Sequence, residues 1–299
     1  MALRVAIALA LVAASLGAPS RAIAARIVTI GDSWGARGAG VLAGVLTAHG
    51  YPGATVDDRA IEGTTAAYWA DNPGLIDAAL AANPDAGYVW LILGGNDVTN
   101  ALFAGRLGEA KAANERNLAA VVDRIFSERP RIQIVTFGYD YPALVEVPGC
   151  LDPLYRLLGI DPPEVIDPGF ANLVTSVANL GVLDAVGAVL GNFAGADPRI
   201  HYVPLWGALQ RAGGRPANPL APSPGDFYAD CIHPTEAGFR AIMEAFHDAF
   251  WAGEFGGSPT LACAAAPAET SPLAFAPIAA LVAGLGAWRI RRILRARPR

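Results

Sequence analysis

The sequence predicts an α/β fold, with a parallel five-stranded sheet between two layers of helices. Three observations carry this. Short β-branched or apolar runs alternate with helical stretches along the chain, as in successive βα units. The run Gly87–Leu93, "GYVWLIL", is apolar throughout, as suits a central strand buried on both faces. Five such runs occur, which fits a flavodoxin-like, doubly wound three-layer arrangement with ligands at the carboxyl ends of the strands.

Taken in order, "RIVTI" (Arg26–Ile30) is the first strand, ending at Gly31. Residues 36–49 read as a helix closed by Gly50. "ATVDDRAI" is a second, weaker strand. A helical stretch follows, is broken at Asn72-Pro73-Gly74, and resumes through Ala82. After the third strand, Leu107–Glu128 repeats apolar residues at helical spacing and is closed by Pro130. "RIQIVTF" is the fourth strand and "RIHYVPL" (Arg199–Leu205) the fifth, and Thr235–Trp251 is the last helix. Residues 138–198 separate strands four and five, too many for a plain loop. This stretch holds a helix candidate, "FANLVTSVANLGVLDAVGAVL", and a Pro-rich portion, so it is read as a helical insertion over the active edge.

The ends differ from the body. Residues 1–24 show a basic residue, an apolar run and Ala22-Ile23-Ala24, the pattern of a secretory signal. Residues 258–271 are a small-residue spacer. Residues 272–288 form an uncharged apolar segment, a transmembrane or sorting span, and residues 289–299 a basic tail expected on the cytoplasmic side. The two ends hold eight of the 22 Lys and Arg and no acid, which leaves 14 bases against 27 acids between them, a net charge of −13. Such a body is repelled by nucleic acid, and no basic stripe argues otherwise. The body, 25–257, suits one domain. The expected location is extracytoplasmic, anchored to the membrane by the C-terminal segment. Nothing in the sequence indicates an oligomeric state.

Of the three cysteines, Cys150 and Cys231 fall in the body and are the expected disulfide, since export permits one. Cys263 is left over in the spacer. No Cys or His cluster has metal-ligand spacing, so no metal or cofactor is expected.

Each chemistry-bearing candidate follows a strand: Ser33, Gly63, Asn96, and finally Asp230 with His233 just before the last helix. A serine needs a base to become a nucleophile. Of the four histidines, His49 lies at a helix end, His201 in a strand, and His247 beside Asp248 on what reads as a solvated helix face. Only His233 has a carboxylate at short fixed spacing at this edge. Taken singly, Ser33 could be a helix cap and Asn96-Asp97 an Asx turn.

The segments "GDSW", Gly63, "GGND" and "DCIH" together resemble, in order, the four sequence blocks of SGNH/GDSL hydrolases, over about Arg26–Trp251. The resemblance implies Ser33 as nucleophile, His233 as general base and Asp230 as its orienting acid. It also implies an oxyanion hole made by the N–H groups of Ser33 and Gly63 with the Asn96 amide. Trp34 stands where many members have Leu, and Arg59 and Glu62 depart from the usual second block. The expected activity is ester hydrolysis through an acyl-serine, on a lipid or acyl ester. The alternatives are a cell-surface glycan O-deacetylase and an inactive surface-anchored binding module. Gly31–Gly35 also fits the G-x-S-x-G elbow of α/β-hydrolases, but that elbow follows several strands and its acid lies on a separate late loop. Gly35 is therefore read as coincidental.

Overall fold

Five parallel strands form one sheet in the order β2-β1-β3-β4-β5. They are β1 (Arg26–Gly31), β2 (Thr55–Asp58), β3 (Tyr88–Ile92), β4 (Gln133–Thr136) and β5 (Ile200–Tyr202). The computed structural model describes residues 25–256 apart from 105, 158–160 and 162–167. The leader, the spacer, the terminal apolar span, the basic tail, Cys263 and most of the Pro-rich portion lie outside the described residues.

Chain order reverses beside β1, which has β2 on one side and β3 on the other. Loops leaving β1 and β3 therefore diverge to opposite faces and leave a crevice between them. Helix α1 (Ser33–Ala48) follows β1, and α2 (Ala66–Asp71) and α3 (Pro73–Ala81) link β2 to β3. Helices α4 (Gly95–Phe103) and α5 (Leu107–Glu128) link β3 to β4. Side-chain oxygens start two of these: Asp32 accepts the Trp34 N–H and Thr65 the Tyr68 N–H. The α5 residues Ala110, Asn114, Leu118, Val121 and Ile125 recur at helical spacing and are buried. That face packs α5 against α2, α3 and α4.

Between β4 and β5 lie α6 (Asp152–Leu157), α7 (Pro168–Val182), a π-helical turn (Leu183–Ala188) and α8 (Val189–Ala196). Gly169–Ala196 is long and apolar enough to cross a membrane by length and composition, but 56% of its apolar window is buried within the fold. Part of the expected insertion forms a small second core of Leu144, Leu151, Tyr155, Val174 and Ala178. Helix α9 (Ala208–Ala212) follows β5. Helix α10 (Glu236–Phe246) packs on α1 and continues through a π-helical turn (His247–Trp251) into α11 (Ala252–Gly256).

Three expectations need correction. Helix α1 starts at Ser33, not at 36, because Asp32 caps it. A helix begins at Gly95, where the sequence reading placed none before Leu107. His247 is not on a solvated face; it is buried and stacked on His49, ring centroids 3.6 Å apart. The π turn that His247 opens takes more residues per turn than an α-helix, which shifts the faces its residues present.

Gly35, whose match to the α/β-hydrolase elbow is coincidental, has a packing role of its own. A Cβ there would lie 2.8–2.9 Å from side-chain atoms of Ala60, Ile92 and Thr29, so α1 approaches the sheet only because this residue lacks one. Gly35→Ala is expected to cost about 1–3 kcal/mol through overpacking, read as a lower urea midpoint with an unchanged denaturant slope.

Candidate active site

The carboxyl ends of β1, β2 and β3 are knitted by hydrogen bonds. The Ile61 N–H donates to Gly31 O at 2.9 Å, and the Asp32 N–H to Ile92 O at 3.1 Å. The Asn96 amide donates to Thr64 O at 2.7 Å, and the Asp97 carboxylate accepts the Ala66 N–H at 2.8 Å. These bonds bring Ser33, the Gly63 loop and Asn96 to one edge.

Ser33, at the start of α1, is buried, with its Oγ 2.7 Å from His233 Nε2. His233 Nδ1 lies 2.7 Å from Asp230 Oδ2. A carboxylate only accepts, so it holds the imidazole proton on Nδ1 and leaves Nε2 free to take one from Ser33. Asp230 Oδ1 accepts the N–H groups of Ile232 and His233 at 2.9 and 2.8 Å. One oxygen thus shapes the turn while the other orients the ring. Partial burial raises the Asp230 pKa, but these two N–H groups and the imidazole outweigh it and hold the carboxyl below its ordinary value.

The turn itself is anchored on several sides. Ala229 N–H donates to His233 O, and Ala143 N–H to Cys231 O. Trp34, next to the serine, donates its indole N–H to Ile232 O at 3.1 Å. The expected disulfide is present: Cys150 and Cys231 are bonded with Cα atoms 5.4 Å apart, closing a separation of 81 residues.

Gly63 lies at φ +77°, the left-handed region that favours glycine. A Cβ there would meet nothing within 4 Å, so conformation, not crowding, requires the glycine. Among the described residues its N–H has no backbone acceptor.

An apolar cleft of about 330 Å³ opens against Asp230 and His233. Val98 and Leu102 of α4, Val174 and Ala178 of α7, and Leu144 and Leu151 line it, with the disulfide in its wall. The sequence pointed to an insertion at this edge but named none of these side chains.

Two buried carboxylates also went unnoticed. Asp140 accepts the N–H groups of Gly207 and Leu209 at 2.6 and 2.7 Å, tying the loop after β4 to α9. Burial pushes its pKa up to about 6. Asp32, the residue before Ser33, is pushed by burial up to about 7, against the opposing Tyr139 hydroxyl and Trp34 N–H. The "GDS" triplet drew attention to its serine, and nothing local marked the aspartate as buried.

The family profile described as "GDSL-like Lipase/Acylhydrolase family" matches residues 26–241. No curated protein sequence matches the chain. Among solved structures, an extracellular lipase of Streptomyces rimosus is similar at 19% identity and TM-score 0.50, covering 75% of this chain and 99% of that one. An acetylxylan esterase of Geobacillus stearothermophilus, solved as a catalytic mutant, is similar at 16% identity and TM-score 0.47, over 76% and 95% of the two chains. A family 3 carbohydrate esterase of Talaromyces cellulolyticus gives 14% identity and TM-score 0.48, over 78% and 99%.

Reducing the disulfide, or replacing both Cys150 and Cys231 by Ala, is expected to lower stability by up to about 4–5 kcal/mol. Activity should fall with it, because Cys231 lies inside the Asp230–His233 turn. Thermal midpoint and ester turnover, measured with and without reductant, check both. Asp32 adds a pH signature. Its folded pKa of about 7 lies above the ordinary carboxyl value of 3.8, so between these values the folded state alone holds the proton. Stability from this group is therefore full below about 4 and is lost as pH rises through 7. Denaturation of Asp32→Asn and wild type across pH 4–8 should show a shallower fall in the variant.

Proposed function

The chain belongs to the GDSL-like lipase/acylhydrolase family and hydrolyses ester bonds; from that premise we propose that Ser33 is its nucleophile and an apolar acyl ester its substrate. The observation that carries this reading is the Ser33–His233–Asp230 relay at the mouth of an apolar cleft. Ser33 Oγ attacks the ester carbonyl carbon as its proton passes to His233 Nε2. The negative charge that develops on the carbonyl oxygen is met by the N–H groups of Ser33 and Gly63 and by the Asn96 amide. The tetrahedral centre collapses, the ester bond to the leaving oxygen breaks, and Nε2 returns the proton to the departing alcohol. Water then attacks the acyl-serine with His233 again as base, releasing the carboxylic acid and restoring Ser33. Asp230 stays ionised and stabilises the transient imidazolium.

Substrate class follows from the cleft. Its aliphatic lining offers an acyl chain a place to leave water, at about 25 cal/mol per Å² of apolar surface buried, and gives a sugar ring few polar partners. Export completes the reading: a leader-like start and the Cys150–Cys231 bridge both suit an oxidising compartment. The uncharged segment before the arginine-rich end would then hold the enzyme at a membrane.

A chromogenic ester panel from acetyl to palmitoyl tests this. Turnover should peak at eight carbons or more and vanish in Ser33→Ala, and Asn96→Ala should lower kcat about 10²- to 10³-fold. A maximum at acetyl would turn the reading toward glycan O-deacetylation.

A further inference from the structure

The loop after β4 carries a buried tyrosine that the reaction above leaves unused. Tyr139 donates its hydroxyl to Asp32 Oδ2 at 2.6 Å, and its buried ring packs directly against Gly95. Asp32 directly precedes Ser33, and its other oxygen takes the Trp34 N–H at 3.0 Å. Gly95 directly precedes Asn96. One phenol therefore joins the segment that presents the nucleophile to the segment that presents the side-chain oxyanion donor.

The ring is fixed in this position. It stands edge-to-face to Trp34, centroids 5.1 Å apart at 81°. A Cβ on Gly95 would lie 2.6–2.9 Å from its carbons, so the ring occupies the space that a side chain at 95 would need. Trp34 in turn reaches the His233 turn through Ile232 O. Tyr139 thus touches the segments that carry Ser33 and Asn96, and reaches the His233 turn through Trp34.

We propose that Tyr139 is a positioning residue for ester hydrolysis, its hydroxyl setting the spacing between Ser33 and Asn96 across the crevice between β1 and β3. This rests on Ser33 being the nucleophile. Catalysis is sensitive to such spacing: a 1 Å misplacement costs on the order of 100-fold. The same hydrogen bond gives a signature that packing alone lacks. Burial drives Asp32 up to about 7 and Asp97 adds repulsion, while Tyr139 and the Trp34 N–H favour the charged carboxylate. Removing the hydroxyl must therefore move this ionisation to higher pH.

The test uses the full chain and Tyr139→Phe, which keeps the ring against Gly95 and Trp34. We expect kcat for a chromogenic ester to fall about 10- to 100-fold, with KM changed less than about twofold. The Asp32 ionisation near pH 7, read from the pH dependence of folding stability, should shift upward in Tyr139→Phe and disappear in Asp32→Asn. Asp32→Asn, close in shape to the wild-type side chain, gives a second route to the same loss should the phenylalanine variant not fold. A lower thermal midpoint with kcat and pH profile unchanged would overturn the inference. Ser33→Ala and fluorophosphonate labelling separate the two claims. If Ser33→Ala still turns over ester, the nucleophile assignment fails. If Ser33→Ala is inert while Tyr139→Phe keeps the wild-type kcat and pH profile, only the Tyr139 inference fails.

Discussion

The parallel pairing of β1 between β2 and β3 is the constraint on which the site depends. Parallel strands all end at the same edge, and the reversal of order beside β1 opens a crevice there. Three separate stretches of chain must leave the sheet at this point with their backbone polar groups still satisfied. They do so by bonding to one another: the Ile61 N–H to Gly31 O, the Asp32 N–H to Ile92 O, and the Asn96 amide to Thr64 O. The bonds that close off the strand ends are the same bonds that position the reactive side chains.

Carboxylates organise the loops above that edge, each by gathering N–H groups. Asp230 turns one oxygen to its own turn and the other to His233. Asp97 holds the start of α2, and Asp140 holds α9 to the loop after β4. Removing charge from water is costly, and these N–H partners offset part of that cost. At the deepest positions the offset is incomplete, so Asp32 and Asp140 are pushed toward the neutral acid. Asp230 lies nearer solvent and keeps its charge, as an acid that must stabilise an imidazolium requires.

Much of this was legible in one dimension. Apolar runs and helical spacing located all five strands, and the limits of α5 matched Leu107–Glu128. Ser33, Asn96, Asp230 and His233 were visible because each lies in a short stretch whose spacing is itself part of the chemistry. Helix α4 was not anticipated: it opens at Gly94-Gly95, and glycine is a poor helix former. The first glycine does turn the chain with φ +106°, but the second serves to admit the Tyr139 ring. His247 was misplaced because the solvated-face reading did not anticipate the π turn that begins there.

The sequence alone determined the α/β class, the family, the expected disulfide pair and the identity of the candidate residues, because each depends on local pattern or on order along the chain. Only the tertiary structure decided what those residues touch. Trp34 looked like a departure from the family pattern and proves to tie the nucleophile's helix to the histidine turn. Tyr139 carried no signal at all, since its hydroxyl's partner Asp32 is 107 residues away and its ring packs on Gly95 in another segment. Contacts of that kind are set by strand order and helix packing, and no window of sequence contains them.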